Sequence, residues 1–189
     1  MKVTRQLASG LMLLLLSSLQ LGYAQDATPQ EITELSQAYA LLYQTVNKID
    51  KLGKLLYVKF ESDPVDALAT ELGEHADTAQ EDIEQYAQSH PGINLEETGL
   101  PKAEQARRSY TTKALLKDVA THSGTEFERL YLLAMTNVVN QARHMASAVA
   151  DLPQDQAGKN LASRLHEQFD SDYAQVNALL DSNYFCSPN

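Results

Sequence analysis

Apolar residues recur in steps of three and four over long stretches of the chain, with polar residues between them. The first run, Ile32, Leu35, Tyr39, Leu42, Val46, Ile49, Leu52 and Leu56, keeps that step throughout and predicts a helix with one buried face. Thr28-Pro29-Gln30-Glu31 opens it: a cap, a proline at the first helical position and an acid three residues past the cap. The helix should reach about Phe60, with Gly53 a weak point inside it. Ser62-Asp63-Pro64 restarts the chain, with Asp63 read as cap and Asp66 well placed for the helix dipole. Val65, Leu68, Leu72, Ala76, Ala79, Ile83 and Tyr86 then form a narrower, alanine-rich stripe ending at His90-Pro91-Gly92.

The segment from Ile93 to Pro101 reads as an ordered loop whose Ile93, Leu95 and Leu100 could plug a bundle end. Lys102 to His122 carries a weaker helical pattern in Ala106, Tyr110, Ala114, Leu115 and Val119. The sharpest signal follows. Gly124 suits a left-handed helix stop, and Thr125 with Glu128 has the spacing of a capping box. Beyond it Phe127, Leu130, Ala134, Val138, Met145 and Val149 make one stripe, and Tyr131, Met135 and Ala142 an adjacent one. A face this wide suits a helix with neighbours on more than one side. It stops at Asp151-Leu152-Pro153. A last helix has Leu161, Leu165, Phe169, Tyr173, Val176 and Leu180 as its apolar positions and should end near Asp181-Ser182-Asn183. No strand alternation and no repeat is visible, so the pattern predicts an all-α antiparallel four-helix bundle with an additional shorter helix.

Residues 1–24 have a basic start at Lys2 and Arg5, an apolar run from Leu11 to Leu21 and a small-residue exit at Gly22-Tyr23-Ala24. That is the layout of a secretory signal peptide, and the run is too short to span a bilayer comfortably. The expected organisation is a signal peptide over 1–24, one helical-bundle domain over 25–183 and a tail over 184–189. The residue after the cleavage point is Gln25 rather than cysteine, so the expected destination is periplasmic or secreted, with no lipid anchor and no membrane insertion.

The whole chain has a formal charge of −10. Loss of Lys2 and Arg5 with the leader would leave 13 basic against 25 acidic residues, or −12. Such a surface repels nucleic acid and anionic lipid, and its simplest use is solubility. Cys186 is the single cysteine, which excludes an internal disulfide. A passive thiol is the simpler reading, and pairing with a second copy stays open, as does another protein partner. Arg107-Arg108 is too short for an electrostatic footprint by itself.

Enzyme signatures are missing: no Gly-rich phosphate loop, no Gly-x-Ser-x-Gly, no His-Glu-x-x-His and no Cys-x-x-Cys-His. Dimetal bundles place glutamate three residues before histidine, whereas here those positions hold Leu72, Ala87, Val119, Gln141 and Ser163. Glu71 with His75, four apart, and Glu74 beside them could clamp a metal from one helix, and His144-Met145 with Met135 could suggest a soft metal. Solvated acids and core methionines are the simpler readings of those residues. His122 and His166 read as helix-end and surface residues. The expectation is therefore no catalytic, cofactor or metal site.

The run Gly124-x-x-Phe127-Glu128-Arg129-x-Tyr131-Leu132-x-Ala134-Met135 resembles domain-of-unknown-function family 4142, exported bacterial ferritin-like bundles, with Glu128 in place of the family's aspartate. Glu74-His75 resembles its acid-histidine pair and Leu100-Pro101 its loop, over roughly Ala38 to Asp151. The family carries a second histidine about eight residues after the motif tyrosine, and this chain has Val139 there, leaving His75 alone. The resemblance implies a ferritin-like arrangement of the helices and no settled activity. Together these features lead to a non-enzymatic envelope protein that acts by binding or in stress protection. The alternatives are a degenerate ferritin-like metal or redox protein using Glu71, Glu74, His75 and His144, and an inhibitor or immunity-type partner of a secreted toxin.

Overall fold

The computed structural model describes residues 28–54 and 62–185. The expected leader, the continuation of the first helix through Leu56 to Phe60, the Ile32 side chain and Cys186 lie outside the described residues. Five α-helices follow one another: α1 Pro29–Gly53, α2 Asp63–Ser89, α3 Lys102–Thr121, α4 Gly124–Asp151 and α5 Gln156–Leu180, and a π-helical turn over Asp181–Phe185 closes the chain. Among the described residues there is no strand.

The four long helices form a ring in which α1 lies beside α2 and α4, and α5 beside the same two. Contacts at the ends fix their directions. Tyr39, early in α1, stacks on Tyr86 near the end of α2 at 4.9 Å between ring centres. Its hydroxyl donates to Gln154 Oε1 at 3.0 Å and to the Gly158 carbonyl at 3.2 Å, on the corner between α4 and α5. At the opposite end Glu128 in the first turn of α4 meets Ser62, just before α2, and Tyr184, just after α5. Every neighbouring pair in the ring is therefore antiparallel. The segment from 90 to 123, with α3 in it, carries the chain back along the outside from one end to the other and packs α3 against α4.

The apolar stripes converge on one core. Tyr39, Leu42, Val46, Phe127, Tyr131, Leu132, Met135 and Phe169 are fully buried, and each large side chain so buried contributes about 1.5–3 kcal/mol relative to exposure. The small Ala69, Ala76 and Ala79 on the buried face of α2 let its backbone approach its neighbours. The wide face of α4 is used on three sides, against α1, α5 and α3. α3 is the exception. Of Ala106, Tyr110, Ala114, Leu115 and Val119, only Val119 is buried and Leu115 half-buried, while Tyr110 is 71% exposed. The sequence pattern there was weak because this helix lies on the bundle rather than in it.

Local signals met mixed outcomes. The Thr28 capping box forms, with the Thr28 N–H donating to Glu31 Oε2 at 2.7 Å and the Glu31 N–H to Thr28 Oγ1 at 3.3 Å. Gly124 adopts φ +58°, the left-handed conformation expected of it. The Thr125–Glu128 box does not form: Ser123 is the cap residue, without a side-chain capping bond, and Glu128 turns away to Ser62 and Tyr184. Asp63 likewise is the first helical residue of α2, with Ser62 at the cap. Ile93 and Leu95 pack against the core as expected. Tyr184, the first residue of the expected tail, is held against the bundle through Glu128.

Candidate functional site

The acid-histidine group singled out on α2 opens toward α5. Glu71 and Glu74 are exposed, as is His144 on α4, while His75 is half-buried. His75 Nδ1 lies 2.9 Å from Asp172 Oδ1 and 3.0 Å from Gln168 Nε2, and Gln168 Nε2 also donates to Asp172 Oδ1 at 3.0 Å. Glu71 instead accepts from Gln175 Nε2 at 3.3 Å. Asp172 is 1% exposed, and burial raises its carboxyl above the usual range, outweighing the stabilising contacts with Gln168 and His75. The three side chains form a polar pin between α2 and α5. Among the described residues no three His, Cys, Asp or Glu side chains gather so as to hold a metal ion. Asp172 was missed because Tyr173 was taken as the apolar position. The buried register is Leu165, Phe169, Asp172 and Val176, and Tyr173 is half-buried beneath the Arg143 guanidinium, 4.2 Å from its ring centre. His166, read as a surface residue, is half-buried with Nδ1 3.0 Å from the Arg143 carbonyl.

The family-like run at the start of α4 has structural work. Phe127 and Tyr131 are fully buried and stacked, with ring centres 6.1 Å apart. Glu128 accepts from the Ser62 N–H at 2.5 Å and from the Tyr184 hydroxyl at 2.6 Å. Burial alone would raise its carboxyl, but these donors hold it below the usual range. Arg129 pairs with Glu126 one turn back. The run thus fastens three chain segments at one end of the bundle.

A different set of residues surrounds open space. Because α3 has little apolar face to bury, it stands away from α1 and leaves a groove. Its narrow part, about 210 Å³, lies between α1, α3 and α4 and includes Lys48, Lys51, Arg107 and Arg108, with Leu52, Leu115, Leu116 and Val138 below them. A wider part of about 740 Å³ is bounded by α1, the loop before α3 and α3 itself, and shares Lys48, Lys51, Arg108 and Leu116 with the narrow part while adding Lys113 and Glu96. Five of the chain's 15 lysines and arginines line this groove, so in a protein of charge −10 this face has the opposite sign.

The groove's cations are only partly neutralised. Glu104 takes both arginines, Arg107 through two nitrogens at 2.7 Å and Arg108 through Nε at 2.9 Å, which leaves the two terminal nitrogens of Arg108 without a protein acceptor among the described residues. Their hydrogen bonds hold the Glu104 carboxyl at about 2. Lys48 and Lys51 have no carboxylate within ion-pair distance among the described residues. Burial lowers the Lys48 ammonium, and Arg108 and Arg107 lower it further by repulsion. The arrangement attracts anions, and its leucines and valine offer apolar contact beside them. Arg107-Arg108, too short a footprint in sequence, becomes one when α1 adds two lysines.

No protein-family model matches the chain, and no curated protein matches it in sequence. In structure it is similar to a protein of domain-of-unknown-function family 305 from Streptomyces coelicolor, described as secreted. The TM-score is 0.65 at 14% identity, over 80% of this chain and 94% of that one. At that identity the likeness establishes the shared all-helical fold.

Proposed function

We propose that this chain is a non-enzymatic binding protein of the bacterial envelope, exported through residues 1–24, in which the four-helix bundle is scaffold and the groove between α1 and α3 is the working surface. The carrying observation is the gathering of Lys48, Lys51, Arg107, Arg108 and Lys113 around one open groove of an otherwise acidic protein. A concave surface on which several like charges converge beside apolar side chains suits a ligand of the opposite charge. The shared helical fold with the Streptomyces protein, which is described as secreted, supports the export reading. The competing metal or redox reading has less behind it, since His75 engages Asp172 and Gln168, Glu71 engages Gln175, and His144 is exposed.

Expression from its own start in an exporting bacterial host tests this reading. The chain should be recovered from the periplasm with Gln25 at its N-terminus. Its melting temperature should rise with at least one member of a panel of anionic, cationic and neutral small molecules, because a ligand that binds only the folded state stabilises it. A full-length chain retained in the cytoplasm, or a panel without any shift, overturns the reading.

A further inference from the structure

We infer that the groove between α1 and α3 binds an amphiphilic anion, a molecule with an apolar body ended by a carboxylate or phosphate, its head held by Lys48, Lys51 and Arg108 and its body laid on Leu115 and Leu116. This deepens the binding reading above and rests on it. The head position follows from the donors: two lysines with no carboxylate partner among the described residues, and an arginine whose terminal nitrogens have no protein acceptor there. A planar guanidinium fork matches carboxylate and phosphate oxygens alike. Burial lowers the Lys48 ammonium, and repulsion from Arg108 and Arg107 lowers it further; an incoming anion relieves that repulsion.

The body position follows from what lies beneath. Leu52 on α1 is buried, Leu115 and Leu116 on α3 are half-buried, and Val138 on α4 is buried, so the narrow part of the groove has an apolar floor under a cationic rim. A purely polar anion would leave the half-buried Leu115 and Leu116 in contact with water, and a neutral apolar molecule would leave the cations uncompensated. An amphiphilic anion satisfies both.

Titration calorimetry on the chain recovered from the exporting host separates the alternatives, with octanoate, octyl phosphate, octanol, octyltrimethylammonium and inorganic phosphate as probes. Octanoate or octyl phosphate should bind at one site per chain, and the tighter of the two identifies the head group. Octanol, octyltrimethylammonium and inorganic phosphate should bind at least about tenfold more weakly, and raising the salt should weaken the anionic probes. The paired change Lys48→Gln with Arg108→Gln alters exposed or half-exposed side chains and should keep the helical circular dichroism. It should weaken the anionic probes at least about tenfold, whereas Lys159→Gln on α5 should leave them unchanged. Octanol binding as tightly as octanoate, inorganic phosphate as tightly as octyl phosphate, or full affinity in the paired variant overturns the inference. If all octyl probes fail while another panel compound still raises the melting temperature, this inference falls and the binding reading stands. If no compound does so, the binding reading falls too.

Discussion

Gly158→Ala should destabilise the protein, although alanine is the better helix former by about 1 kcal/mol. Gly158 sits in the first turn of α5, where its N–H donates to Asp155 Oδ1 at 2.8 Å and its carbonyl accepts from Tyr39. A Cβ placed there would lie 2.3 Å from Gln154 Oε1, 2.5 Å from the Tyr86 hydroxyl and 2.8 Å from Tyr86 Cζ. The glutamine end can swing aside. The Tyr86 ring cannot, because it is buried between Tyr39 at 4.9 Å and His90 at 4.0 Å. Overpacking of this kind costs about 1–3 kcal/mol, and displacing the ring also weakens the Tyr86 bond to Asp155, worth about 1 kcal/mol. Against the propensity gain, the net loss is about 1–3 kcal/mol, or a fall of roughly 2–12 °C in Tm for a chain of this size. Thermal unfolding followed by circular dichroism measures it. The same change in a Tyr86→Phe background, with the hydroxyl 2.5 Å away removed, should cost about 1 kcal/mol less. A rise in Tm for the single variant would refute the reasoning, since it would mean that the aromatic stack yields and only helix propensity is felt.

Three further outcomes test the polar contacts. His90 presents Nδ1 to the Tyr86 carbonyl at 2.7 Å and Nε2 to Asp155 at 2.9 Å, an arrangement that only the imidazolium satisfies at both nitrogens. Burial opposes the charge, but these partners raise His90 above 6.5, and the Gly158 N–H with His90 lowers Asp155 below 3.8. The His90 contribution is present below its unfolded value and lost as pH rises through the folded one. The Asp155 contribution is present above its unfolded value and lost as pH falls through the folded one. Urea unfolding of His90→Gln against the parent should therefore show a deficit, below about 1 kcal/mol for so exposed a pair, that is largest between pH 4 and 6.5 and shrinks above. Asp172 is raised, so its contribution is present below pH 3.8 and lost as pH rises through the folded value. Asp172→Asn should unfold at no lower urea concentration than the parent at neutral pH, while Asp172→Ala, which removes the acceptor for Gln168, should lose about 1–3 kcal/mol; a large loss in the asparagine variant would show that the carboxylate charge is needed. Glu128→Gln should cost about 1 kcal/mol and accelerate amide hydrogen exchange over residues 181–185, and unchanged exchange would detach Glu128 from the closing turn.

The helices were legible wherever burial imposed a period. α1, α2, α4 and α5 each present a stripe to the core, and the start of α1 and both ends of α2, α4 and α5 agree with the proline, glycine and capping signals to within a residue or two, whereas α1 ends at Gly53, with Lys54 as its C-cap, short of the expected Phe60. α3 was faint because tertiary contact asks little of it. The polar contacts were legible only when both partners were close in sequence. Thr28 with Glu31 was read correctly, whereas Glu128, equally placed to reach back to Thr125, found partners at Ser62 and Tyr184. A local hydrogen bond is one competitor among several, and a carboxylate facing two donors from other segments goes to them. Asp172 was hidden for the same reason. Its spacing from Phe169 and Val176 places it on the buried face, but an acid there makes sense only once His75 and Gln168 are seen around it.

The groove shows what a period alone cannot reveal. Lys48 and Lys51 occupy polar positions of a strongly amphipathic helix, where lysine is unremarked, and Arg107-Arg108 sit in a helix whose face is poorly defined. Each pair alone is a solvated surface. A fuller apolar stripe on α3 would have drawn that helix down onto α1, adding burial, closing the gap and forcing the four cations either outward or into ion pairs. Instead α3 buries Val119, rests Leu115 and Leu116 on the bundle, and commits its two arginines to a single glutamate. The weak helix, the unneutralised lysines and the apolar floor are three departures from the local rules that make a tightly closed bundle, and all three fall at one place. Proteins tend to break local rules at functional sites and compensate for it elsewhere, so coincident departures at one place are the ground for reading the groove as the working surface.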